Sequence, residues 1–152
     1  MKNGRRINSY RLSGYDYSQP GVYFVTICTS SRQKFFGEIA DCQMRLNMAG
    51  IFAERCWQEI PKHFSTVELD EFVIMPNHIH GLIIINHENT QIKTVWQRNF
   101  FDHIVRDESE LNRIRLYIQQ NPSKWPSDRQ NKNRLKIVRE TESIYQDAIW
   151  MI

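Results

Sequence analysis

Apolar residues in this 152-residue chain follow two periods, and Pro, Gly and Asn mark where one gives way to the other. GVYFVTICTS (21–30) follows Pro20-Gly21 and is dense in β-branched and aromatic residues, which predicts a first strand. SRQKFFGEIA offers a short strand or a turn ending at Gly37. In LNMAGIFAERCWQEIP, Ile51, Phe52, Cys56, Trp57 and Ile60 fall at helical spacing, with Asn47 as cap and Pro61 as stop. VELDEFVIM reads as a strand, Pro76-Asn77 as a tight turn and HIHGLIIIN as the return strand. That strand becomes apolar on both faces after Gly81, the pattern of a central strand. A further strand is predicted over 95–105 (VWQRNFFDHIV). DESELNRIRLYIQQNP opens on acidic residues and meets Pro122, which predicts a helix ending there, with Leu111, Ile114 and Ile118 as its apolar stripe. SKWPSDRQNKNR reads as loop, and 135–152 could hold a strand and a short helix. The order β-α-β-β-β-α predicts an α+β sandwich, an antiparallel-rich sheet carrying helices, in one domain over 1–152.

Composition refines this reading only through charge. Hydrophobic residues make up 41% and charged residues 24%, ordinary for a soluble globular protein. The net charge of +3 hides two basic segments. One, within residues 1–20, holds Arg5, Arg6 and Arg11; the other, the extension 123–152, holds Lys124, Arg129, Lys132 and Arg134. They are either a polyanion-binding face or a solvated surface. Tyr10, Tyr15, Tyr17 and Trp125 lie among these cations and suit a single strand or hairpin of nucleic acid. Cys28, Cys42 and Cys56 are odd in number and lack C-x-x-C spacing, which argues for a reducing compartment and against a zinc knuckle. The polar start MKNGRRINSY and the strand-sized apolar runs lead us to expect a cytoplasmic protein without a membrane span.

MPNHIHGL (75–82) carries the first candidate chemistry. Alternation along a strand puts His78 and His80 on one face, about 6.5–7 Å apart at Cα, so they either converge on an ion or are two polar residues that the fold satisfies. On the predicted helix, Tyr117 and Asn121 are four apart and share a face, with Arg113 one turn earlier. Tyr117 is an interface tyrosine or a nucleophile, and Asn121 a helix-end cap or a ligand. Combined, two imidazoles and an amide oxygen leave a divalent ion open positions for phosphate, beside a hydroxyl that could attack it. Arg113 either contacts that phosphate or is solvated. His103, after Asp102, is either a neighbour of the site or structural, and His63 and His87 fall in predicted loops.

FVIMPNHIHGLI resembles the histidine–bulky apolar–histidine (HUH) motif of single-tyrosine transposases. WQRNFFDHIVRDESELNRIRLYIQQNP and YRLSGYDYSQPGVYFVTICTSSRQKFFG resemble the tyrosine-helix region and N-terminal segment of the REP-associated tyrosine transposases, named for repetitive extragenic palindromes. The resemblance spans most of 10–125 and implies a ferredoxin-like fold. It implies a divalent metal, Mg²⁺ or Mn²⁺, on His78, His80 and Asn121, and Tyr117 as a nucleophile that leaves a 5′-phosphotyrosyl link. The partner it implies is single-stranded or hairpin DNA, held in this chain by the basic segments, and the setting is the bacterial cytoplasm, on the nucleoid when DNA is bound. In the family a helix lies between the third and fourth strands. Here 86–95 alone separates the predicted strands, too short for a docked helix and its return, so the fold is expected to be shortened there. An apolar face bared by that loss would favour a homodimer over a monomer. The readings are therefore a strand-cutting and strand-joining enzyme, a domesticated, non-cleaving hairpin binder, and a plain interaction module.

Overall fold

The β-branched stretch after Pro20-Gly21 does form the strand on which the sheet is built. In the structure, a computed structural model describing residues 15–17, 19–86 and 100–133, this strand is β1, Gly21–Cys28. Two short strands follow, β2 (Gly37–Ala40) and β3 (Gln43–Leu46), then helices α1 (Met48–Gln58) and α2 (Ile60–His63). Strands β4 (Val67–Met75), β5 (His78–Ile85) and β6 (Phe100–Val105) lead into the long helix α3 (Glu108–Lys124). The main sheet runs β4-β5-β1-β6 with every neighbouring pair antiparallel, while β2 and β3 pair separately. This is the α+β arrangement expected from the sequence, with β5 central as its two apolar faces required.

Alternation along the strands divides the core in two. Tyr23, Val25, Ile79, Ile83 and Ile85 face one way and close on Trp57 of α1. Phe24 and Leu82 face the other way, against Leu111, Ile114 and Ile118 of α3. The predicted stripe of α3 is therefore its buried face. His78 and His80 continue the row of Leu82, so they lie on the α3 side of the sheet.

Several local readings need correction. The β2–β3 hairpin turns through Asp41 and Cys42, both at positive φ (53° and 60°), where the sequence offers neither Gly nor Asn as a signal. Ile51, Phe52 and Cys56 of α1 are exposed; the face that docks uses Gly50, Ala53 and Trp57. Pro61 opens α2 instead of merely ending α1, because a first-turn residue needs no N–H, and His63 is helical. Pro122 lies inside α3, which runs on to Lys124: near the C-terminus it forgoes a single bond and the helix tolerates it. Of the strand expected over 95–105, 100–105 are observed as β6, and 95–99 fall outside the described residues.

β5 and β6 flank β1 and point the same way, joined through residues 86–99. Residues 1–14, which include Tyr10, Arg5, Arg6 and Arg11, lie outside the described residues, as do His87 and Arg134.

Candidate active site

Helix α3 is fixed from both flanks before it presents any chemistry. Asp107 caps it, its carboxylate accepting from the Glu110 N–H at 2.8 Å. A bulge in β4 between Leu69 and Phe72 turns Asp70 and Glu71 toward the helix. There Asp70 takes the Arg115 guanidinium in a two-pronged contact (3.0 and 2.6 Å), and Glu71 accepts from Gln119 at 3.0 Å. Burial alone would raise the Asp70 carboxyl, but Arg115 and a backbone N–H outweigh it and hold it low. On the opposite flank, His103 of β6 meets Glu110 at 2.7 Å. His103 is therefore structural, a tie between β6 and α3.

Fixed in this way, α3 lays Tyr117 and Asn121 over the histidine strand. The Tyr117 hydroxyl lies 3.3 Å from His80 Nε2, and the two rings meet edge-on at 5.3 Å between centroids. The imidazoles of His78 and His80 are 4.5 Å apart. Both are buried, at 0% and 2% exposure, and so is Asn121 at 2%. His80 Nδ1 is 2.8 Å from the Thr26 hydroxyl on β1, which leaves Nε2 turned toward the tyrosine. His78 Nδ1 meets Asn77 Oδ1 at 2.8 Å. Two buried acceptors of this group, His78 Nε2 and Asn121 Oδ1, have no hydrogen-bond partner.

Burial governs the electrostatics. It pushes His78 down to about 3, with the Arg32 charge adding to the effect, and drives His80 well below its ordinary value, helped by His78. Both rings are neutral near pH 7, the state in which imidazole binds a metal. Tyr117 is pushed up to about 12 by burial and then by Asp128, with Asn121 and Arg129 opposing. Among the described residues, no three His, Cys, Asp or Glu side chains are grouped as a ready-made metal site.

The predicted residues His78, His80, Tyr117 and Asn121 are thus brought together. Asn121 lies within the helix with its side chain buried, not at a cap. Arg113, Lys124, Arg129 and Lys132 are exposed. Trp125, expected among DNA-facing aromatics, is instead buried and stacked on His78 at 6.2 Å. Tyr15 and Tyr17 are half-buried against Tyr23, because an aromatic near a cation packs in the core when a core is within reach. Three residues escaped the sequence reading. Asn77, read only as a turn, donates from Nδ2 to the Arg32 carbonyl (3.2 Å) and the Gln130 carbonyl (2.7 Å). Arg32, held at positive φ (53°), reaches the Arg129 carbonyl at 3.4 Å and acts on both His78 and Asp128. Asp128, an acid within the basic C-terminal segment, has its side chain buried (5% exposed) with Oδ2 3.9 Å from His78 Nε2. A recess of about 250 Å³ beside them is lined by Arg32, Lys34, Asn77, Trp125 and Lys132.

Comparison with known proteins gives likenesses in sequence and in fold, while no family model matches the chain. A Haemophilus influenzae protein named "Uncharacterized protein" is 36% identical, the match covering 79% of this chain and 90% of that one. A second H. influenzae protein, named "Putative REP-associated tyrosine transposase", is 27% identical over 74% of this chain and 77% of that one. A solved REP-associated tyrosine transposase bound to a REP hairpin has the same fold, with a TM-score of 0.52 at 17% identity over 74% of each chain. The 79% matched of 152 residues is about 120, against 162 aligned positions, so about 40 positions of the first relative face no residue here. No described helix is long and apolar enough to cross a membrane.

Proposed function

Since this chain belongs to one family with the 36%-identical H. influenzae protein, and is related in sequence and fold to REP-associated tyrosine transposases, we propose a metal-dependent enzyme that nicks and rejoins hairpin-forming single-stranded DNA. The reading adds that 1–152 act as one domain, as monomer or homodimer, in the bacterial cytoplasm. Tyr117 is the nucleophile. Its Oη forms a bond to phosphorus as the P–O3′ bond breaks, which leaves a 5′-phosphotyrosyl link and a free 3′-hydroxyl. The phenolic proton leaves to water and the departing 3′ oxygen takes one up. The reverse attack by a 3′-hydroxyl rejoins strands without a nucleotide cofactor.

His78 and His80, through Nε2, and Asn121, through Oδ1, would hold a divalent ion, Mg²⁺ or Mn²⁺. Two of these three atoms are buried without a partner, an arrangement that costs stability unless a cation meets them. Such an ion supplies positive charge to the phosphate oxygens and favours the phenolate. That help is needed: with its hydroxyl pushed up to about 12, Tyr117 lies about 7 kcal/mol from ionisation at pH 7. Thr26 and Asn77 keep both rings oriented, and Trp125 shields His78 from water. Arg32, Lys34 and Lys132 at the recess seat phosphates of the entering strand, and the exposed Arg113, Lys124 and Arg129 extend that surface.

The observation that carries this reading is the Tyr117 hydroxyl at 3.3 Å from His80 Nε2, in a buried group with unpartnered acceptors. The test incubates the protein with labelled single-stranded hairpin oligonucleotides and Mn²⁺ or Mg²⁺, then looks for a covalent adduct on denaturing gels. An adduct that needs the metal and disappears in Tyr117→Phe and His78→Ala is expected. Hairpins retarded on native gels but never cut would sink the enzyme and leave a hairpin binder.

A further inference from the structure

We propose that Asp128, in the turn after the tyrosine helix, is a fourth protein donor to the divalent ion, a role that rests on the reading of His78, His80 and Asn121 as its ligands. One hydrogen on the His78 ring decides which nitrogen is free. Asn77 Nδ2 donates to two carbonyls, Arg32 (3.2 Å) and Gln130 (2.7 Å), so the amide orientation is settled and Oδ1 faces His78. An amide oxygen only accepts, hence His78 Nδ1 carries the ring hydrogen and Nε2 presents a bare lone pair. Opposite that lone pair, at 3.9 Å, stands Asp128 Oδ2.

Two acceptors thus face each other inside the protein, one at 0% and the other at 5% side-chain exposure. A divalent cation between them would satisfy both at once. Donors bound at about 2.1 Å to one ion stand roughly 3 Å apart when adjacent and 4.2 Å when opposed, and 3.9 Å falls in that span. The other carboxylate oxygen is pinned by the Gln130 N–H at 2.6 Å, which keeps Oδ2 aimed inward.

Charge gives the carboxylate its purpose. Two neutral imidazoles and an amide suit many transition metals, whereas Mg²⁺ and Mn²⁺ favour anionic oxygen. Asp128 would bring the only negative charge among the four donors. Its position in an otherwise basic turn, between Lys124 and Lys132, then follows from the ion instead of from the DNA.

The test measures Mn²⁺ binding to the full chain by titration calorimetry and by the electron paramagnetic resonance signal of free Mn²⁺. Asp128→Asn should weaken binding about tenfold or more with the circular dichroism spectrum unchanged. Asp128→Cys should raise Cd²⁺ affinity relative to Mn²⁺ by about tenfold, because a thiolate prefers the softer ion, an effect no purely structural role produces. Unchanged Mn²⁺ affinity in Asp128→Asn alongside loss in His78→Ala overturns the proposal and leaves the histidine site standing. An unchanged Cd²⁺ preference in the cysteine variant overturns it even where Asp128→Asn fails to fold. No Mn²⁺ uptake by the unaltered protein sinks the histidine site and Asp128 with it.

Discussion

Replacing Asn77 with alanine attacks the one side chain that fixes the state of His78. Asn77 is 1% exposed and makes three side-chain hydrogen bonds: with His78 Nδ1 (2.8 Å) and the carbonyls of Arg32 (3.2 Å) and Gln130 (2.7 Å). Each is worth about 1 kcal/mol net, and a buried group left unpaired costs a further 1–3 kcal/mol. The Arg32 and Gln130 carbonyls lie near the surface, where water replaces the amide. His78 Nδ1, at 0% exposure, has no such recourse. The expected loss is therefore about 4–6 kcal/mol, read from urea unfolding at pH 7.5. A second readout is sharper. Long-range ¹H–¹⁵N spectra should show the hydrogen on Nδ1 in the unaltered, ion-free protein. In Asn77→Ala it should move to Nε2, where Asp128 accepts it and the lone pair for an ion is lost. A hydrogen already on Nε2 in the unaltered protein would refute the reasoning, whatever the stability change.

Three further outcomes follow from the same packing. Gly81→Ala should destabilise by about 1–3 kcal/mol or more in urea unfolding, because a Cβ there overlaps the buried Trp57 ring; a neutral result would deny that contact. Stability should be fully present above pH 6.5 and fall toward pH 3, since the unfolded chain takes up a proton that folded His78 refuses. The slope from this residue is about 1.4 kcal/mol per pH unit, with His80 acting in the same direction; urea midpoints equal at pH 7.5 and 5 would contradict it. Ile118→Ala, at 0% exposure, should cost about 2–5 kcal/mol, while Leu116→Ala, at 55%, should stay within about 0.5 kcal/mol, both by thermal or urea unfolding.

Much of this fold was legible because its signals are local. β1, β4, β5 and α3 declare themselves through period and caps, and His78, His80, Tyr117 and Asn121 through spacing on those elements. What stayed hidden depends on contacts distant in the chain. The buried face of α1 is chosen by Gly81, the only position on β5 that makes room for an indole, and not by the apolar count of the helix. The β2–β3 turn uses Asp41 and Cys42 at positive φ with no glycine to announce it. Asp128 and Arg32 are separated by nearly a hundred residues and meet at His78 only once α3 has docked. Charge read along the chain treats them as surface residues; charge read in space makes them parts of the site.

The strand that bears both histidines is clamped from two sides. His78, His80 and Leu82 press toward α3, while Ile79, Gly81 and Ile83 press toward α1, and all six are buried. Mutational drift therefore meets the two halves of the centre unequally. On the proposed function, a lineage released from cutting DNA would still lose stability through most changes between 78 and 83, so a histidine pair can outlast its chemistry as a fossil of packing. Tyr117 packs only at the margin of the α3 cluster, and Asp128 lies beyond that helix, so packing protects them less. On the same proposed function, the tyrosine and the turn aspartate are the positions whose loss in descendants of this chain would date the end of catalysis.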